Sequence, residues 1–230
     1  MARGLVLASC GRCSHGSWEQ GFTPTLTGVG DRAHLFSKDI SLQTHVKDIL
    51  AVVETEELSD FVLVGHSYGG FVISGVADAL RERVSHYVYL DASVPPDMSP
   101  GASFSWADFN PPEAREARLK LVREQGNGVA LPAPPPSAFA VTKASDVAWL
   151  QRHLRPMPVG TYIGTFKFAS SGSNGLKRTY IASSKPPYAL LVSIGNRIRD
   201  DNTWSFTTIE AGHDSMVTAP DELASLLMVA

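Results

Sequence analysis

Phe61-Val62-Leu63-Val64-Gly65-His66-Ser67-Tyr68-Gly69-Gly70-Phe71-Val72-Ile73 decides the fold. The opening four residues are a continuous apolar run, the pattern of a strand covered on both faces as in a parallel sheet. The end of the stretch opens a helix, with Ile73, Val76, Ala77 and Leu80 on one face. Between them Gly65-His66-Ser67-Tyr68-Gly69 is a G-x-S-x-G in strand–turn–helix context, the setting of a nucleophile elbow. Such a turn strains the serine and lifts its hydroxyl clear of the sheet. Side chains at Gly65 or Gly69 would strike strand or helix. The Tyr68 N–H would face the oxygen of an attacked carbonyl, helped by the positive end of the helix dipole. The alternative is an ordinary glycine-rich turn.

The flanks extend the pattern. Residues 5–8 read as a short buried strand and Phe22–Leu26 as another, followed by the loop Thr27-Gly28-Val29-Gly30. Val46, Ile49, Leu50 and Val53 predict a helix over 43–57, and Tyr87–Leu90 predicts the next strand. This alternation implies an α/β fold, a mostly parallel sheet with helices on both faces. Residues 93–177 break it. They are rich in proline, with amphipathic helices expected near 112–124 and 144–154 and a strand at Tyr162–Phe168. They read as a small helical cap inserted into a core made of 1–92 and 178–230. The sheet resumes at Thr179–Ala182, then a helix near 188–199 and a strand at Trp204–Ile209. A last helix begins near Thr218, with Asp221 completing a capping-box-like start and Pro220 in the first turn.

Composition narrows the function classes. The 230 residues suit one domain with a lid, and 43% hydrophobic against 19% charged residues can build a core. A net charge of −3 without a basic run argues against a nucleic-acid partner. No apolar stretch approaches the roughly 20 residues that span a bilayer. Met1-Ala2-Arg3 and Leu7-Ala8-Ser9-Cys10 resemble a lipoprotein leader, but the apolar part, Leu5–Ala8, is too short for a signal core. A cytoplasmic protein without membrane contact is therefore expected. Cys10 and Cys13 form a C-x-x-C. Two thiols make no disulfide framework, and no second cysteine or histidine pair completes a zinc site, so they read as incidental loop thiols rather than a redox centre. Neither metal nor organic cofactor is expected.

A nucleophilic serine needs a base and an acid. Of the seven histidines, His213 lies in Gly212-His213-Asp214, between the last strand and the last helix, where a loop can carry an imidazole over the elbow. His66 would pack behind the turn, while His34, His45, His86 and His153 fall on surfaces or the pocket wall. The loop Ser183–Pro187 offers no carboxylate. Asp91, at the C-terminal end of the strand after the elbow helix, lies at the edge where open α/β sheets bind ligands. Asp200 and Asp201 are its rivals, with solvated helix ends as their other reading. Phe104, Trp106, Phe109, Trp149 and Tyr162 would form the cap core, some of them (Trp106, Phe109, Trp149 or Tyr162) lining an apolar pocket.

The segments Phe22–Leu35, Val64–Gly70, Tyr89–Ala92 and Gly212–Met216, in this order, resemble the α/β-hydrolase family. The closer resemblance is to bacterial esterase-like members related to plant methylesterases and hydroxynitrile lyases. It implies Ser67 as nucleophile and His213 as base. The plant relatives take their acid from the loop after the next-to-last strand, and this chain departs from them there. Certain lactonases and haloalkane dehalogenases take it from the strand after the elbow, which supports Asp91. Cys10-Gly11 stands where the family has His-Gly, and His15-Gly16-Ser17-Trp18 resembles the end of the loop that follows. The next helix is missing, so the first crossover is unusually short, and the second oxyanion donor is assigned to the Arg12 backbone N–H. The expected function is a serine hydrolase acting on a small-molecule carboxylic ester, with lactones as a second substrate type. Two alternatives are a non-catalytic ligand-binding homologue and a cyanohydrin lyase. Related lyases carry a lysine after the histidine to hold cyanide, where Asp214 would repel it.

Overall fold

The computed structural model describes residues 5–9 and 20–228. Its main sheet consists of β1 (Leu5–Ser9), β2 (Gln20–Phe22), β3 (Phe61–Ser67), β4 (Val84–Ala92), β5 (Arg178–Ser183) and β6 (Ser205–Ile209), in the order β6-β5-β4-β3-β1-β2. The four strands from β3 to β6 are parallel. The helices are α1 (Leu42–Thr55), α2 (Gly69–Ala79), α3 (Pro112–Glu124), α4 (Ala144–His153), α5 (Val159–Ile163), α6 (Val192–Arg199), α7 (Ser215–Thr218) and α8 (Pro220–Met228). None of the helices among the described residues is long and apolar enough to cross a membrane.

Strand alternation explains why both sheet faces are covered. Leu63, Tyr87, Tyr89 and Tyr180 join one core, with Val46, Ile49 and Val53 of α1 and the buried side of α2. Their neighbours Val64, Val88, Leu90 and Ile181 point the other way, into a smaller core closed by Leu223 of α8. Each such fully buried aliphatic side chain contributes roughly 1.5–3 kcal/mol. Helix α1 buries Val46, Ile49 and Val53 of the predicted stripe together with Leu42 and His45, while Leu50 is only partly buried.

The N-terminal edge differs from expectation. Strand β1 runs antiparallel to both β2 and β3, so no crossover joins it to its neighbours. Antiparallel partners need only a short connection, which suits the ten residues between them, whereas a parallel pair needs a dozen or more. Strand β2 is also shorter and earlier than expected, ending at Phe22. The loop that follows is tied down by α1. Thr27 N–H and Oγ1 donate to Asp48 at 2.6 and 2.7 Å, and Arg32 Nη1 adds a contact at 2.9 Å.

Residues 93–177 carry α3, α4 and α5 and two small antiparallel ladders, Ser103–Phe104 with Phe166–Lys167 and Ala130–Leu131 with Met157–Pro158. The expected strand at Tyr162–Phe168 is instead the end of α5 followed by the two-residue Phe166–Lys167. Asp78 of α2 accepts the backbone N–H groups of Ala169, Ser170 and Gly172, fixing the segment's return to the sheet. Thr218 does not start the last helix. It ends α7, and its hydroxyl donates to the Asp214 carbonyl.

Candidate active site

The end of β3 breaks regular geometry to present its serine. Ser67 has φ +54°, a region non-glycine residues enter only when their surroundings enforce it. Glycines make the enforcement feasible. A Cβ on Gly65 would lie 2.6 Å from the Gly69 carbonyl oxygen, and one on Gly70 would lie 2.2 Å from that of Ser93. The Ser93 N–H in turn donates to the Ser67 carbonyl at 2.9 Å, locking the elbow to the end of β4. Tyr68 caps α2, so its N–H stands ahead of the first helical turn.

A second break brings in Asp91. The β3–β4 ladder slips here, pairing His66 with Leu90 and Ser67 with Ala92, and Asp91 is left out with φ +38°. The slip re-aims the side chain. Asp91 Oδ1 accepts the Ser183 N–H at 3.2 Å, and Oδ2 accepts from His213 Nδ1 at 2.7 Å. His213 must therefore carry its proton on Nδ1, leaving Nε2 to accept the Ser67 hydroxyl at 2.9 Å. Loops from three sheet strands thus bring Ser67, His213 and Asp91 into one hydrogen-bonded line. The rivals lie elsewhere. Asp200 follows the last turn of α6, and Asp201 binds Thr203 through N–H and Oγ1, bonds that hold its carboxyl below the usual range.

The imidazole is packed as well as bonded. Tyr188 stacks on it at 4.1 Å and 22°, Phe139 lies 5.6 Å away, and the His66 ring is 4.5 Å off. His66 donates from Nε2 to the His213 carbonyl at 2.8 Å, and burial holds it neutral, well below the ordinary histidine range. So the histidine expected merely to pack behind the turn also fastens the loop that carries His213. His45 does similar work on the other side. Its Nε2 donates to the Thr27 carbonyl at 2.9 Å, which leaves Nδ1 to accept the Tyr68 hydroxyl at 3.1 Å, and burial lowers its pKa. His86 is buried against Thr179, while His34 and His153 are exposed.

A cavity of about 420 Å³ opens over Ser67. Leu26 and Val29 wall it from the Asp48-anchored loop, Trp106, Leu131 and Met157 from segment 93–177, and Tyr188 from beside His213. Of the aromatic residues expected in the pocket, Trp106 lines it, 5.2 Å from the Tyr68 ring. The other three do not. Phe109 packs into the aromatic core, 4.7 Å from Phe71. Tyr162 is wholly buried behind Trp106. Trp149 is 41% exposed and stacks on His153. The Arg12 N–H and the Cys10/Cys13 pair lie outside the described residues. Tyr188, Phe139 and the fastening role of His66 escaped the sequence reading. No local pattern marks them, since each acts through a contact distant in the chain.

A carbendazim hydrolyzing esterase from Nocardioides sp. (strain SG-4G) is 32% identical to this chain over 93% of it and 96% of the relative. Among solved structures, an extracellular alpha/beta-hydrolase from a Paenibacillus species, described as sharing structural and functional homology with tobacco salicylic acid binding protein 2, superposes with a TM-score of 0.76 at 21% identity, covering 91% of this chain and 86% of that one. Polyneuridine aldehyde esterase, as a histidine-to-alanine mutant, gives 0.66 at 17% identity over 90% and 86%. A methylesterase from Arabidopsis gives 0.59 at 18% identity over 89% and 84%. At these identities the structural likenesses speak for the fold. The sequence profile of the alpha/beta hydrolase family matches residues 5–226, nearly the whole chain, and the protein belongs to that family.

Proposed function

We propose that this protein is a serine hydrolase that cleaves carboxylic esters through an acyl-enzyme intermediate. One observation carries the reading: the buried His213 bridges the Asp91 carboxylate and the Ser67 hydroxyl, at 2.7 and 2.9 Å. In this tautomer Nε2 takes the serine proton as Oγ attacks the acyl carbon. Asp91 stabilises the imidazolium so formed. The tetrahedral intermediate's oxygen is met by the Tyr68 N–H, with a second donor assigned to the Arg12 N–H. A single such donor contributes roughly 10²–10³ in rate. As the intermediate collapses, the C–O bond to the alcohol breaks and His213 gives its proton to the leaving oxygen. Water then attacks the acyl-serine with His213 again as base, releasing acid and free Ser67.

The walls of the cavity favour an apolar, aromatic-sized ester or lactone under a lid made by segment 93–177. The esterase relative supports the same reaction class, and the carbendazim in its name makes that compound a substrate to try. A lyase reading is disfavoured by Asp214, an acidic residue lining the cavity where cyanide would have to be held. Turnover of p-nitrophenyl acetate by the wild type, abolished in Ser67→Ala, is the expected result. A fluorophosphonate should attach at Ser67. Unchanged turnover in Ser67→Ala would end the assignment, and an intact protein that neither hydrolyses nor labels would be a binding homologue.

A further inference from the structure

His213 is followed by an acidic residue to which the proposed chemistry gives no task. Asp214 is only 2% exposed, yet it lines the cavity that opens over Ser67. It occupies the position before α7, where an aspartate ordinarily turns its carboxylate back onto the helix N–H groups. Here no such bond forms. Its backbone carbonyl does the local work instead, accepting from the Val217 and Thr218 N–H groups at 2.9 and 3.2 Å. Oδ2 is buried with no hydrogen-bond partner among the described residues.

Such a carboxylate is costly. Burial without a partner penalises the charged form, and here it pushes the Asp214 pKa up to about 6, with the His213 ring pulling the other way and Asp91 adding to the rise. At neutral pH the group is still largely ionised, an acceptor waiting for a donor. The cavity walls around it are mostly apolar, and the arginines that line the cavity, Arg118 and Arg155, are engaged elsewhere. Arg118 lies over the Trp106 and Tyr162 rings, and Arg155 donates to the carbonyls of Arg152 and Leu154. A molecule bound in the cavity can bring the donor that these two arginines do not supply. N–H groups conjugated to a carbonyl or an aromatic ring suit it best, because they donate without turning an oxygen lone pair toward the carboxylate.

We propose that Asp214 is a specificity-determining residue: its carboxylate accepts a hydrogen bond from an N–H of the bound ester, so that esters bearing this donor are preferred over isosteres that lack it. This rests on the esterase reading above and names its substrate class. Only recognition is involved, and the bonds made and broken remain those at Ser67.

Two matched pairs test it, one with the donor on the acyl side and one on the alcohol side. These are methyl N-phenylcarbamate against methyl phenylacetate, and 4-aminophenyl acetate against 4-methylphenyl acetate. For each ester kcat/KM is measured in the wild type, in Asp214→Leu (same shape, no acceptor) and in Asp214→Asn (acceptor kept, charge removed). The expected result is that Asp214→Leu lowers the N–H-to-isostere ratio about ten- to hundredfold in at least one pair, with Asp214→Asn in between, as for a hydrogen bond to a charged group. Ratios unchanged in both pairs, with all esters slowed alike, would overturn the proposal and leave Asp214 a support for His213. Should the variants not fold, the wild type alone decides. Its rates divided by those of hydroxide-catalysed hydrolysis must favour an N–H ester, and the absence of any preference overturns the assignment. A wild type that cleaves none of the four esters nor p-nitrophenyl acetate would instead remove the esterase reading itself.

Discussion

The end of β4 and the loop before α7 each bury an aspartate beside His213, and they treat it in opposite ways. Asp91 accepts from the imidazole and from the Ser183 N–H, so its two oxygens both have donors. Asp214 has an oxygen with none. One carboxylate is built into a line of hydrogen bonds, and the other is buried at the cavity wall with an oxygen that no donor of the described residues reaches. A buried charge that the fold satisfies orients its neighbour, and one that the fold leaves unsatisfied is available to a ligand at a cost in stability.

The largest effect should come from breaking the satisfied one. Asp91→Asn keeps the shape but takes away the charge that fixes the tautomer of His213, so kcat should fall by on the order of 10²–10⁴. Steady-state kinetics on p-nitrophenyl esters checks this. A comparable loss in Asp200→Asn or Asp201→Asn, with Asp91→Asn active, would transfer the acid role to the end of α6.

The unsatisfied carboxylate should show itself in stability. Asp214 has a folded pKa raised to about 6 by burial, so the native state holds its proton more tightly than the unfolded chain does. Its favourable contribution is complete below the unfolded value near 4 and is lost as pH rises through about 6. Asp214→Asn, which mimics the neutral form, should gain on the wild type by on the order of 2–3 kcal/mol between pH 4 and pH 7.5. Urea unfolding at both pH values measures the difference, and an equal gap at the two would mean that the Asp214 carboxyl has the same pKa in the folded and the unfolded chain.

The smallest effect sharpens the contrast between two tryptophans of segment 93–177. Trp106→Ala removes a cavity wall and should raise KM for aromatic esters severalfold. Trp149→Ala lies on the surface and should change stability by no more than about 0.5 kcal/mol and leave KM alone. A KM effect of Trp149→Ala equal to that of Trp106→Ala would place the substrate outside the cavity over Ser67.

Local signals made much of this legible from sequence. The glycines around Ser67 and the apolar run before it led to the elbow, and helix α3 was expected at its observed bounds, Pro112–Glu124. Asp91 could be singled out because it stands at the C-terminal end of a buried strand, the edge where open α/β sheets bind ligands. Strand direction was not legible, because an apolar run such as Leu5–Ala8 reads the same either way, and β1 came out antiparallel. The aromatic residues of segment 93–177 were equally mute. Phe109, Trp149 and Tyr162 share a chemistry, and only tertiary packing sends one to the core, one to the surface and one behind the pocket wall. The stacking of Tyr188 on His213 and the unpartnered oxygen of Asp214 are also outcomes of tertiary packing that no spacing rule encodes.

The bond from His66 to the His213 carbonyl joins positions separated by 147 residues. It works as a clasp between the first third of the chain and its tail. If β6 and α8 peel from the sheet, the clasp opens, and in the proposed mechanism the serine turn is left with nothing to draw off its proton. Turnover is for that reason a gauge of whether the tail is docked, more local than any measure of overall helix or strand content.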